Sequence, residues 1–238
     1  MARNALVMAR TAATSLFQDA NCKAYYNLED LVDLKGGFNL TNYNSVTFTS
    51  AKFNNGSNLG TSNSTKYLEI ANNLGIDGGA ISIVGWIKLT TEITTGSYYM
   101  LSQCGTTSKT LLSIAYNYNG GTPNVEFLRA PLGAATQSFT TTVTLGTSNW
   151  NHFALCYDAT NIVGYINGVR KGSAAASGNG SSAVQDHFDI GVYNFNGTPT
   201  AYSSIIADDV AVFNRALTQA EVSLLNTKEV NAFRRAVV

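Results

Sequence analysis

The sequence predicts an all-β fold, a two-sheet antiparallel β-sandwich of the jelly-roll kind closed by one short C-terminal helix. From Ala24 onward the chain reads as short runs of β-branched and aromatic residues broken by Gly, Asn and Ser, the pattern of strands joined by tight turns. Asn-Gly pairs at 55–56, 119–120, 167–168, 179–180 and 196–197, with Asp-Gly at 77–78, supply residues suited to the positive φ angles of hairpins. No helix-period segment interrupts the strands before Leu217, so sheet must pack on sheet.

Taken in order, residues 1–23 lack strand alternation and are expected to form an arm or short helix ahead of the domain, either frayed or docked. Strands are expected over 24–29, 45–49, 66–71, 80–89, 98–103, 110–117, 124–129, 137–144, 150–157, 161–167, 187–193 and 206–213. Pro123, Pro131 and Pro199 each lie at or beside a turn, which leaves the ladders intact. The stretch 172–186, rich in Gly, Ser and Ala, is expected to be a long surface loop. The helix opens at Leu217, where Thr218 and Glu221 have the spacing of a capping box and Ala220, Val222, Leu224 and Leu225 follow. The domain proper thus spans 24–226. The tail 227–238 is expected to continue helically toward Phe233 and to end in a basic tip, Arg234 and Arg235, either solvated or docked on a neighbour. No repeat of 20–50 residues stands out, which argues against a propeller or solenoid.

Among 238 residues, 45% are hydrophobic and 13% charged, the latter about half the ~25% of an average soluble protein. Fifteen basic and fifteen acidic residues cancel, leaving no field to attract nucleic acid or anionic lipid. A surface of hydroxyls and amides suits a crowded assembly or a carbohydrate ligand. At the N-terminus the apolar run is only Ala5–Ala9, shorter than the ~7–15 residues of an export signal or the ~20 of a membrane span. The expectation is a chain that inserts in no membrane and reaches a virion or extracellular surface by lysis or a dedicated machine. Cys22, Cys104 and Cys156 are odd in number and lack metal-ligand spacing. Cys156 reads as a small core residue, and a Cys22–Cys104 bridge remains open.

Six segments, in order, carry a family resemblance. They are AYYNLEDLVDLKGGFNLT from Ala24, with its Asp33 to Gly36 step, then AKFNNGSNLG, TKYLEI and AISIVGWIKL containing Trp86. The paired WNHFALCYD and YINGVRKG follow, and last comes DDVAVFNRALTQAEVSLL. Together these resemble the bacterial and phage type of laminin-G-like domain, the concanavalin A-like lectin/glucanase family, over about Ala24 to Leu225. The resemblance implies a concanavalin A-like jelly roll in which Trp86 belongs to the core. In the strand from Trp150 to Tyr157 both alternating faces are largely apolar, so His152 is expected to be a hydrogen-bonded structural histidine.

Enzymes of this fold imply specific constellations. A retaining glycosidase needs two carboxylates about 5–5.5 Å apart, which residues two or four apart on one strand provide. The Glu-x-Asp-x-(x)-Glu strand of the resembling enzymes does not occur; Glu29, Asp30 and Asp33 come nearest, in the first strand and turn. With only His152 and His187 available, a lyase has little to work with, and no Gly-x-Ser-x-Gly or His-Glu-x-x-His motif is present. The chain is therefore expected not to be an enzyme. The resemblance also implies a structural calcium held by Asp208 and Asp209 with Glu29, with carboxylates capping turn amides as the other reading.

For sugar binding, Tyr116, Asn117, Tyr118 and Asn119 precede a Gly-Gly turn, and Tyr193, Asn194, Phe195 and Asn196 form a similar aromatic-amide segment. Aromatic faces stack on sugar rings and amides meet hydroxyls as donor and acceptor. The same residues also suit a protein interface or ordinary loop packing. The leading expectation is a non-enzymatic decorating module of an extracellular assembly such as a phage or virus particle, oligomeric and docked through its termini on other subunits, with surface glycans as further ligands. A stand-alone lectin-like protein is the alternative and a polysaccharide hydrolase or lyase the third.

Overall fold

The computed structural model describes residues 16–61, 64–76, 79–105, 112–130, 135–176, 187–195 and 197–227. The strands run β1 (Cys22–Tyr26), β2 (Thr41–Tyr43), β3 (Thr47–Ser50), β4 (Asn55–Asn58), β5 (Tyr67–Ile70) and β6 (Ile81–Leu89). Next come β7 (Gly96–Cys104), β8 (Leu112–Asn119), β9 (Thr122–Arg129), β10 (Gln137–Thr142), β11 (Asn151–Tyr157) and β12 (Asn161–Ile166). The chain closes with β13 (Val169–Ala175), β14 (His187–Ile190), β15 (Tyr193–Phe195), β16 (Thr198–Thr200), β17 (Ile205–Phe213) and helix α1 (Gln219–Leu225).

Two antiparallel sheets form. One has the order β13-β12-β11-β6-β17-β4-β3 with β1 also paired to β17, the other β10-β9-β8-β7-β14-β5-β2, and β15–β16 stand apart as a hairpin. A bulge between Asp208 and Ala211, with Asp209 at φ 48°, divides β17. Its first half pairs with β4 and its second half with β1.

The main core lies between the sheets, with Ile83, Ile87, Phe153 and Leu155 of the first meeting Leu101, Ile114, Tyr116, Phe127 and Phe188 of the second. A smaller core covers the outer face of the first sheet, where Val84, Ala154, Cys156, Ala211 and Phe213 pack under Leu16, Phe17, Val222 and Leu225. This accounts for the doubly apolar β11. Phe17 stacks on Tyr25 at 4.0 Å. Arg215 holds the two covering segments together, donating from Nε to Asp19 and from both terminal nitrogens to Glu221. The capping box at Thr218 and Glu221 is present, and the helix begins at Gln219 rather than Leu217. Trp86 is buried, but on the outer face of the first sheet rather than between the sheets, beside His152 and under Lys52 and Phe53.

Several expectations change. Asn55-Gly56 is not a hairpin turn but lies within β4, where a Cβ on Gly56 would come 2.6 Å from the Ala207 carbonyl oxygen; the positive φ belongs to Asn54. Asn167-Gly168 does form the expected two-residue turn, with both φ values positive and Ile166 opposite Val169. Residues 172–175 are not loop but the end of β13, paired with β12. Cys22 and Cys104 are not bridged: all three cysteines are buried and free, Cys22 in the outer core and Cys104 at the end of β7 in the other sheet. Burial pushes the Cys22 thiol up to about 12 and the Cys156 thiol up to about 11. The Asp77-Gly78 and Asn179-Gly180 pairs, Pro131, residues 1–15 of the arm, and the tail with Arg234 and Arg235 lie outside the described residues. Among those described, no helix is long and apolar enough to cross a membrane.

Candidate functional site

The outer face of the second sheet carries a concentration of tyrosine, acidic and histidine side chains. Strand alternation sets this up: Leu68 and Ile70 face the core, so Tyr67 and Glu69 face out; Phe188 and Ile190 face in, so His187 and Asp189 face out. Tyr67 stacks on Tyr43 at 4.4 Å and lies 6.1 Å from Tyr202. A second stack joins Tyr99 of β7 to Tyr193 of β15, again at 4.4 Å. Burial, then the negative charge of Glu69, raises the pKa of both Tyr43 and Tyr67, and burial pushes Tyr99 up to about 12. These rings are therefore neutral phenols at physiological pH, with apolar faces and a donor at the rim.

Beneath the tyrosines runs a buried polar network. Glu69 accepts from Tyr43 Oη at 3.2 Å and from Asn194 Nδ2 at 2.9 Å, while His187 Nε2 donates to the Asn194 carbonyl at 2.8 Å. Asp189 lies opposite Glu69 in the ladder and 3.4 Å from His187 Nε2. Here, then, is a carboxylate pair that no single strand displays. Glu69 is 8% exposed and Asp189 fully buried, so both carboxylates are largely withheld from solvent.

Where β5, β7 and the segment after β16 meet, a cleft of about 450 Å³ opens, lined by Ser64, Thr65, Thr95, Ser97, Tyr98, Tyr202 and Ser204 among others. The local chain path shapes it. Tyr99 N donates to Ala201 O and Ser203 Oγ to Tyr99 O, which laces the 201–204 segment onto β7. Thr90 N donates to Ser204 O and fastens the same segment to the end of β6. Tyr98, whose ring also packs against the main core, and Tyr202 are both half-buried and line the opening among hydroxyls that can each donate and accept.

The predicted residues divide by strand parity. Tyr116 lies in the core at 2% exposure, with its hydroxyl accepting from Leu145 N, and Tyr118 packs against the same core. Neither ring faces the tyrosine surface, because alternation turns only Asn117 outward, where it donates to Glu126. Tyr193 is half-buried on Tyr99, and Asn194 is buried on Glu69. Asn196 and the side chains of Asn119 and Phe195 lie outside the described residues. Of the predicted calcium ligands, Asp208 accepts from Phe53 N, Glu29 from Asn54 Nδ2 and Asp209 from Tyr25 Oη. Asp208 thus caps a turn amide. Among the described residues one set of three ligand-type side chains has its ligand atoms within 4.8 Å of one another, and it is Cys104, His187 and Asp189. Sequence reasoning missed Tyr43, Tyr67, Tyr98, Tyr99 and Tyr202, which belong to separate strands and loops and meet only through the ladder.

Solved structures with this architecture include the botulinum neurotoxin serotype G binding domain, at TM-score 0.67 and 18% identity, covering 87% of this chain and 50% of that one. The binding domain of Paraclostridial Mosquitocidal Protein 1 aligns at TM-score 0.67 and 15% identity, over 87% and 52% of the two chains. Domain 4 of AbnA, a GH43 extracellular arabinanase from Geobacillus stearothermophilus solved with arabinotriose, aligns at TM-score 0.63 and 18% identity over 87% and 98%. The chain spans about half the length of the toxin domains. No curated protein sequence matches it. The laminin G family model described as the concanavalin A-like lectin/glucanases superfamily matches residues 61–223, and the chain belongs to that family.

Proposed function

We propose that this chain is a non-enzymatic glycan-binding module that holds a neutral oligosaccharide in the cleft between Tyr98 and Tyr202. The observation that carries the reading is the pairing of two half-buried tyrosine rings with five serine and threonine hydroxyls around one opening. Rings stack on the apolar face of a sugar while the hydroxyls exchange hydrogen bonds with its rim. A balanced charge of fifteen against fifteen supports a neutral ligand over an acidic one. Arabinotriose, present with domain 4 of AbnA, is a sensible first probe. The non-enzymatic part rests on burial of the Glu69 and Asp189 pair.

A glycan array followed by titration calorimetry tests this. Wild-type protein is expected to bind neutral oligosaccharides, and Tyr202→Ala to weaken the best ligand by about tenfold, the loss of roughly 1.4 kcal/mol. An array without hits, or equal affinity in the variant, contradicts the reading. The decorating-subunit role extends this proposal: a module on an extracellular particle would use the same cleft to hold a surface glycan, and co-sedimentation with purified particles is its own test.

A further inference from the structure

We propose that Cys104, His187 and Asp189 form a site for a borderline transition-metal ion of the Zn²⁺ class. The three come from positions far apart in sequence and meet through the ladder: His187 lies directly opposite Cys104, and Asp189, two residues on along β14, lies opposite Ser102. Residues two apart on a strand share a face, so all three side chains stand on the outer side of the second sheet. Their ligand atoms lie within 4.8 Å of one another, and each residue is at least 96% buried.

The donor chemistry selects the ion. A thiolate sulfur, an imidazole nitrogen and a carboxylate oxygen together suit Zn²⁺ or Co²⁺, whereas Ca²⁺ and Mg²⁺ prefer oxygen alone. The separation of His187 Nε2 and Asp189 Oδ2 is 3.4 Å. That is the edge of a tetrahedron with metal–ligand arms of about 2.0–2.1 Å. A divalent ion also balances the two negative charges that thiolate and carboxylate bring into a buried position. Strand β14 sits between β7 and β5, so the backbone under the ligands is held on both sides. Cys104 binds as thiolate, its proton leaving to solvent, and His187 changes tautomer, its proton moving to Nδ1 so that the Nε2 that otherwise donates to the Asn194 carbonyl is free to bind the metal as a neutral imidazole. The fourth position is left for a water or that carbonyl. Burial of all three side chains argues against their use as a hydrolytic Cys-His-Asp triad, since no substrate carbonyl reaches the sulfur.

The test is titration of untagged, chelator-stripped protein with Co²⁺ alone. Binding of about one Co²⁺ per chain, with the visible bands of a tetrahedral ion and a thiolate-to-cobalt charge-transfer band in the near ultraviolet, is expected, and Zn²⁺ should displace it. Cys104→Ser should lose the charge-transfer band, Cys156→Ser should keep it, and His187→Gln should weaken binding at least tenfold. Absence of stoichiometric Co²⁺ in the wild-type protein overturns the proposal, whatever the folding of the variants. So does a charge-transfer band that survives Cys104→Ser or disappears in Cys156→Ser.

Discussion

His152 illustrates what position does to a single side chain. It stands opposite Trp86 in the ladder, its ring 5.2 Å from the indole, and is 2% exposed. Its backbone N–H donates to Asn167 Oδ1, but Nδ1 has no hydrogen-bond partner. The side chain is thus buried as expected of a structural histidine, with Nδ1 making no hydrogen bond. Burial lowers its pKa to about 3, whereas in the unfolded chain it titrates near 6.5. As pH falls below 6.5 the unfolded state takes up a proton first, so this contribution is complete above that value and is lost progressively toward pH 3. Urea unfolding at pH 7 and pH 4.5 is expected to show a drop about 2–3 kcal/mol larger for wild type than for His152→Leu. Equal drops would assign the acid sensitivity to other groups.

Between elements, one close approach sets the packing. Gly164 of β12 meets Phe127 of the opposite sheet so closely that a Cβ would lie 2.5 Å from the ring. The ring itself stacks on Phe139 at 5.2 Å and has little room to retreat. Gly164→Ala is expected to destabilise by about 1–3 kcal/mol in urea melts, as for an overpacked core; a neutral result would mean that the two sheets separate at low cost. Packing between elements also decides what is legible in the sequence. Long strands such as β6, β11 and β17 announce themselves because their apolar content exceeds what any loop would carry. Short polar strands, TNY at β2, NGSN at β4 and TPT at β16, do not, since their identity comes from the ladder beside them. Parity caused the largest error at the site. Tyr116 and Tyr118 look like a surface aromatic cluster in the sequence, yet the alternation that buries Ile114 turns both rings toward the core. The Cys104, His187 and Asp189 group was out of reach for a related reason: only the pairing of β7 with β14 makes neighbours of them.

At the scale of the molecule, the two sheets divide the work. The outer face of the first sheet is covered by the chain itself, through Leu16, Phe17 and helix α1, fastened by Arg215 between Asp19 and Glu221. The segment 16–20 thus serves its own domain rather than reaching outward. On the outer face of the second sheet, among the described residues, β15 lies over Tyr99 and Glu69 through Tyr193 and Asn194, while Tyr43, Tyr67 and Tyr202 remain together near the cleft. The proposed glycan binding is placed on that side. The most direct test is a two-dimensional amide spectrum recorded as the best neutral oligosaccharide from the array is added. Shifts are expected to concentrate at Ser64, Thr65, Thr95 to Tyr98, Ala201, Tyr202 and Ser204, the residues lining the cleft. Shifts centred instead on β11, β12 or helix α1 would contradict that placement.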